Sequence, residues 1–208
     1  IKMGKKYGFD GVEWIISDLT NPLFDPLSLN EAREMINETG IQVDSISLDI
    51  LMYNPIQTFP WDDIAWMFER LCVAVEKLKV SRISIPIEET SGIRNHNDAE
   101  LVIARLAKVL NQFSGRIPYL CVETDLSVKN IYHLVNLPKL SKLGVLVDIG
   151  NAAANGYRID DYFDLIADKI YGVHIKDRGK FFLPNVPFSK GIGELKLFLN
   201  RCSELQNL

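Results

Sequence analysis

The chain has 208 residues, 47% of them hydrophobic and 24% charged, with a formal net charge of -4. That length suits one domain with a substantial core, and the balance is that of an ordinary soluble globular protein. The acidic charge argues against a nucleic-acid partner, which wants a basic face, and no apolar run approaches the ~20 residues that span a bilayer, so no membrane partner is expected. Three scattered cysteines, Cys72, Cys121 and Cys202, lack any CxxC spacing and indicate a reducing compartment rather than a disulfide framework. No signal-peptide pattern is visible, so the cytoplasm is the expected location. The chain opens on Ile1 rather than Met, and the expectation is an incomplete copy of a longer protein.

In chain order, residues 1–7 read as the tail of a helix with Gly8 as its C-cap. Residues 9–14 read as a strand. Ser28 followed by Glu31 forms a capping-box pattern that predicts a helix running to Thr39 and stopping at Gly40. Residues 41–48 predict a strand, with Ile46 and Leu48 on one face and Ser45 and Ser47 on the other. Residues 62–78 carry helical periodicity through Ile64, Met67, Phe68, Leu71, Val75 and Leu78. A strand follows over 82–87, then a helix from Asp98 to about Phe113 capped by Asn97. Residues 117–123 predict a strand, and Ser127 caps a short helix that ends at Leu137-Pro138. Residues 143–148 predict a strand that ends on a turn opened by Gly150. A helix over 160–167 and a strand over 170–175 come next, and a last helix runs from Glu194 to about Leu205. Strand and helix alternate with no hairpin signal, which demands parallel pairing through right-handed crossovers. No glycine-rich dinucleotide fingerprint follows an early strand. Polar residues gather instead at successive strand ends, which suits a closed barrel. The expected fold is therefore α/β of the (β/α)8 TIM-barrel type, a single domain over residues 1–208, incomplete with about six parallel strands where a full barrel needs about 250 residues.

Three of those strand ends carry ligand-type side chains: Glu123, Asp148 and His174. Alternate residues of a strand face opposite sides. Val122, Val147 and Val173 therefore face the helices, while the polar three face the barrel axis. Taken singly, either carboxylate reads equally as a helix cap or loop anchor, and His174 as a hydrogen-bonded interior residue. Recurrence at three equivalent positions points instead to one divalent ion, Mn²⁺, Mg²⁺, Zn²⁺ or Co²⁺, with coordination positions left for substrate. Asn151 follows the aspartate in a tight turn and is a candidate substrate contact. Lys176 shares the strand face of His174, and Arg178 is a candidate phosphate contact, but each also reads as a residue of a solvated loop. Glu13 and Glu88 end other strands and are candidate substrate contacts, and Arg94, in the loop after Glu88, is a further candidate phosphate contact. His96 and His133 read as surface residues.

The segments Cys121-Val122-Glu123-Thr124-Asp125, Val147-Asp148-Ile149-Gly150-Asn151 and Val173-His174-Ile175-Lys176-Asp177 resemble the xylose isomerase-like barrel superfamily of sugar and sugar-phosphate isomerases and epimerases. Gly8 to Glu13 resembles that family's second strand. Asn185-Val186-Pro187-Phe188, with Gly191 after it, resembles the loop after the seventh strand in its pentulose-phosphate and hexulose-phosphate epimerases. The similarity covers nearly the whole chain. It implies that Glu123, Asp148 and His174 are three of four ligands to one divalent metal, the fourth being a glutamate on the eighth strand. The expectation is that the first and eighth strands lie outside this sequence, and Glu194, at a helix start, is not carried into that role. The implied reaction is proton transfer next to a carbonyl through an enediolate, with Glu123 as both ligand and acid/base. A small-molecule sugar or sugar phosphate is the expected partner, and an incomplete barrel with exposed strand edges is expected to form homo-oligomers. Two alternatives stand beside this reading. One is a truncated, non-catalytic barrel with a vestigial metal site. The other is an abasic-site endonuclease of the same superfamily, disfavoured because that class uses a histidine-rich three-metal cluster and this chain has three histidines in all.

Overall fold

Strands and helices alternate as expected in the computed structural model, which describes residues 1–179 and 184–205. The chain divides into two compact units, Ile1–Leu120 and a second that begins at Cys121.

The first unit runs α1 (Lys2–Lys6), β1 (Gly11–Ile15), α2 (Pro26–Thr39), β2 (Gln42–Ser47), α3 (Ile50–Tyr53), α4 (Trp61–Leu78), β3 (Arg82–Ile87) and α5 (His96–Gln112). β1 pairs with β2, and β2 with β3, both parallel. Along β2 and the residue after it, Ile46 and Leu48 are buried, and Ser45 and Ser47 on the opposite face are buried as well. Both faces of the strand are covered, which is the usual condition of parallel sheets. All six periodic positions of α4 lie in the core, and Phe68 stacks on Phe113 at 5.4 Å between centroids. Fully burying each such side chain contributes about 1.5–3 kcal/mol.

Two helix starts fall elsewhere than the sequence suggested. Asp25, not Ser28, caps α2: its Oδ2 accepts the Ser28 N–H at 2.8 Å, with Pro26 in the first turn. Ser28 therefore lies within the helix. Asn95, not Asn97, caps α5, its Oδ1 accepting the Asp98 N–H at 3.0 Å. In each case an earlier cap-type residue already faces the free N–H groups, so α2 begins three residues and α5 two residues earlier. The far end of α2 follows expectation, with Gly40 in the left-handed region at φ 72°. Tyr7, not Gly8, is the C-cap of α1, and Gly8 follows it at φ 77°.

β4 (Tyr119–Thr124) carries the division between the units. The second unit continues with α6 (Val128–Val135), β5 (Leu143–Asp148), α7 (Ile149–Ala154), α8 (Ile159–Ile166), β6 (Ile170–His174), β7 (Asp177–Arg178), β8 (Asn185–Val186) and α9 (Leu195–Cys202). β5 and β6 pair in parallel, setting Asp148 directly opposite His174. Ser127 caps α6 as expected. Two features depart from the sequence reading. The turn expected at Gly150 is the start of α7, capped by Asp148 itself. Although no hairpin was foreseen, β7 and β8 form a short antiparallel ribbon. Its strands hold two residues each, too few to show an alternating pattern. Among the described residues no helix is long and apolar enough to cross a membrane.

Candidate metal centre

β4, β5 and β6 each end on a polar side chain, and the three ends converge within the second unit. Glu123 sits one residue before the end of β4, Asp148 is the last residue of β5, and His174 is the last of β6. Hydrophobic neighbours hold them there: Leu120, Val122, Leu146 and Val147 are almost fully buried. Glu123 and Asp148 are themselves only 9% and 5% exposed.

His174 Nδ1 lies 3.5 Å from Glu123 Oε2 and 4.0 Å from Asp148 Oδ2. One ligand atom from each residue falls within 4.8 Å of the other two, and this is the metal-type cluster present among the described residues. Metal–ligand bonds of about 2.1 Å place neighbouring donors roughly 3–4.2 Å apart, so the 3.5 and 4.0 Å spacings to His174 fit one ion. Two carboxylate oxygens and one imidazole nitrogen form a set for Mg²⁺, Mn²⁺, Co²⁺ or Zn²⁺ rather than for copper(I) or an iron–sulfur cluster.

Asp148 both caps a helix and faces the cluster. Its Oδ1 accepts the Asn151 N–H at 2.8 Å and closes the first turn of α7. Its Oδ2 is buried and makes no hydrogen bond of acceptable geometry. That oxygen nonetheless has the Lys176 ammonium 2.8 Å away. A buried carboxylate oxygen held only by opposite charge is what a cation site requires.

Three further side chains named from the sequence also gather here. Asn151 is buried; it donates to Glu123 Oε1 at 3.4 Å and accepts from the Arg178 guanidinium at 2.7 Å. Lys176 thus reaches Asp148 of the cluster and Arg178 reaches Asn151 beside it, rather than either lying in a solvated loop. Asp177, between them, faces the other way and is 2% exposed. Burial pushes its carboxyl up, but backbone N–H groups of Gly191, Gly193, Ser189 and Lys190 outweigh that and hold it below the ordinary aspartate value. Gly191 and Gly193 donate at 2.9 and 3.0 Å. A side chain at Gly191 would meet Asp177 Oδ1 at 2.2 Å, so glycine is required for this approach. The sequence signal for this anchor is the Gly-Ile-Gly spacing of residues 191–193.

Glu13, Glu88 and Arg94 lie in the first unit. Glu13 accepts from the Ser45 hydroxyl at 2.7 Å. Glu88 caps the short 3-10 turn Glu89–Ser91, and the Arg94 guanidinium donates to the Glu89 carbonyl. His96 is exposed beside Glu100, and His133 lies on α6 against the Tyr132 ring. Glu194 is the exposed N-cap residue of α9.

No protein-family model matches the sequence, and no curated protein matches it. Solved structures do. The IolI protein with a binding zinc atom is 17% identical, with 98% of this chain and 78% of that chain covered at a TM-score of 0.74. The probable 3-DHS dehydratase AsbF from Bacillus anthracis is 14% identical, with 99% and 82% covered at 0.77. D-psicose 3-epimerase from Clostridium cellulolyticum H10 is 16% identical, with 98% and 75% covered at 0.70. Such likenesses establish the fold, which is that of xylose isomerase-like TIM-barrel proteins.

Proposed function

We propose that this chain, with a fold shared by sugar epimerases, is a divalent-metal-dependent isomerase or epimerase of a sugar or sugar phosphate. The observation that supports this reading is the meeting of Glu123, Asp148 and His174 at three strand ends with spacings suited to one ion. When bound, the ion supplies Lewis-acid polarisation of substrate oxygens.

The residues around the cluster divide the remaining work. The carboxylate of Glu123 removes the proton from a carbon next to the substrate carbonyl; the C–H electron pair moves onto the carbonyl, leaving an enediolate. Return of a proton to the opposite face of that carbon completes an epimerisation, and return to the former carbonyl carbon, with the neighbouring hydroxyl proton passing to the former carbonyl oxygen, completes an isomerisation. Asn151 orients Glu123 through its 3.4 Å hydrogen bond, and Arg178 orients Asn151 in turn. Lys176 and Arg178 give this end of the unit two positive charges, which favours an anionic substrate such as a sugar phosphate. Asp177 holds the intervening backbone in place. Proton removal next to a carbonyl also begins the elimination of water, the reaction named for the probable dehydratase of the same fold. A cluster that has lost its chemistry is the other reading.

Deuterium exchange separates these readings. The chain is loaded with Mn²⁺ or Co²⁺ and incubated in D₂O with ketoses, aldoses and their phosphates, and each sugar is followed by NMR. Metal-dependent incorporation of deuterium next to the carbonyl, abolished by Glu123→Gln, is expected. Loss of water from the substrate instead would assign the dehydratase chemistry. Metal binding without any exchange across the panel would leave a vestigial site, and binding indifferent to all three residues would remove the site altogether.

A further inference from the structure

Asp148 Oδ2, 4.0 Å from His174 Nδ1, is the carboxylate oxygen turned to the cluster; Oδ1 is already taken by α7. Lys176 Nζ lies 2.8 Å from that same Oδ2. A divalent ion and an ammonium drawn to one oxygen repel each other strongly at such distances, the more so at an oxygen shielded from water.

The placement of Lys176 is built into the fold. β6 ends at His174, and Lys176 lies two residues further along the chain. Its stem crosses the first turn of α7 at Gly150. A Cβ at Gly150 would come 2.6 Å from Lys176 Cγ, 3.1 Å from Arg178 Cγ and 3.2 Å from Lys176 Cε. Glycine is a poor helix former, and Gly150 is not among the positive-φ glycines that need its backbone freedom. What glycine provides at this position is room for the lysine stem, which comes nearest, and for the arginine stem beside it. The guanidinium of Arg178, the other cation on this stretch, donates to Asn151 Oδ1 at 2.7 Å.

We infer that Lys176 competes with the divalent ion for Asp148 Oδ2, so that its ammonium sets how tightly the centre holds metal. The inference rests on the metal-centre reading above. It makes Lys176 a positioning and tuning residue whose removal strengthens the site rather than weakening it.

Calorimetric titration of the chelator-stripped full chain with Mn²⁺ and with Zn²⁺, at one pH and one ionic strength, tests this. Lys176→Met is expected to bind the ion about tenfold more tightly than wild type, or better. Gly150→Ala, which displaces the lysine stem while favouring the helix, is expected to tighten binding by a smaller factor. Arg178→Met should change affinity by no more than about threefold, the share expected from general electrostatics alone. Circular dichroism confirms that each variant is folded. Unchanged or weaker binding by Lys176→Met would overturn the competition, as would equal tightening by Arg178→Met. The two layers of the argument fail differently. Wild-type binding that needs Glu123, Asp148 and His174, yet is not tightened by Lys176→Met, removes the competition and leaves the metal centre. Absence of binding in wild type and Lys176→Met alike removes both.

Discussion

Asn151 donates its side-chain amide to Glu123 Oε1 at 3.4 Å, joining the first turn of α7 to the end of β4. The same carboxamide accepts from Arg178 at 2.7 Å, so one small residue orients the proposed base and a neighbouring cation together. Asn151→Ala removes a donor from the buried Glu123 and an acceptor from Arg178 while keeping the helix backbone. Losing buried hydrogen-bond partners costs about 1–3 kcal/mol. The expected result is a lower urea midpoint with an unchanged m-value, together with a slower proton exchange at whatever substrate the wild type accepts. An unaltered midpoint would show that these hydrogen bonds do not hold the cluster together.

Asp177 links the fold to pH. Its carboxyl lies below the ordinary aspartate value in the folded chain, because backbone N–H groups of residues 189–193 outweigh the upward push of burial. A lowered folded value stabilises the protein above the unfolded value of about 3.9, and that stability is lost as pH falls through the folded value. Asp177→Asn retains one acceptor oxygen but sets an NH₂ against backbone N–H groups, at a cost of about 1–3 kcal/mol near neutral pH. The stability gap between wild type and variant, measured by urea at several pH values, is expected to be widest above about pH 4 and to narrow below it. A gap that stayed constant into acid would mean that Asp177 is not held ionised by these amides.

Much of this architecture is legible from local pattern. The α4 periodicity, the Gly40 stop and the β3 and β5 boundaries match because each depends on residues within one turn or one strand. The cluster is legible for the same reason. Strand parity alone places Glu123, Asp148 and His174 on one side, and parallel pairing then sets Asp148 opposite His174. What escapes the sequence depends on partners far along the chain. Asp177 finds its amides 14 and 16 residues later, and Asn151 reaches Glu123 across 28 residues. α7 is hidden by its own composition, since an Asp-Ile-Gly-Asn run reads as a turn until Asp148 is seen to cap it.

Gly144 offers a packing test away from any charge. A Cβ there would lie 2.5 Å from Tyr171 Cδ2 and 3.2 Å from Cys121 Sγ, so the tyrosine ring occupies the space a side chain would need. Tyr171 lies beside the irregular register between β5 and β6, where the ladder slips after Val145. Gly144→Ala is expected to overpack this point and to destabilise the chain by about 1–3 kcal/mol. Paired with Tyr171→Leu, the same alanine should cost distinctly less. Equal costs in the two backgrounds would mean that the ring is not the obstruction.

Arg201 binds the last helix to the unit that carries the cluster. Its guanidinium pairs with Asp160 at 2.7 Å and Asp164 at 2.9 Å on α8, and with Glu204 at 3.1 Å. The same group lies 5.1 Å from the centroid of the Phe163 ring, and Phe163 packs edge-on against the fully buried Phe198 of α9. Exposed ion pairs are individually worth little, but one arginine held by three carboxylates and a ring is a network in which geometry is already set. Arg201→Met keeps most of the apolar stem and deletes the network, and a lowered urea midpoint is the expected result. Arg201→Lys should recover only part of it, because an ammonium cannot serve two aspartates through a planar fork. Hydrogen exchange localises the effect: amides of residues 195–202 should lose protection before those of β5, since the network touches α8 and α9 and leaves the strands alone. Uniform loss of protection across both would indicate that α9 unfolds only with the whole unit, and that Arg201 contributes to global rather than local stability.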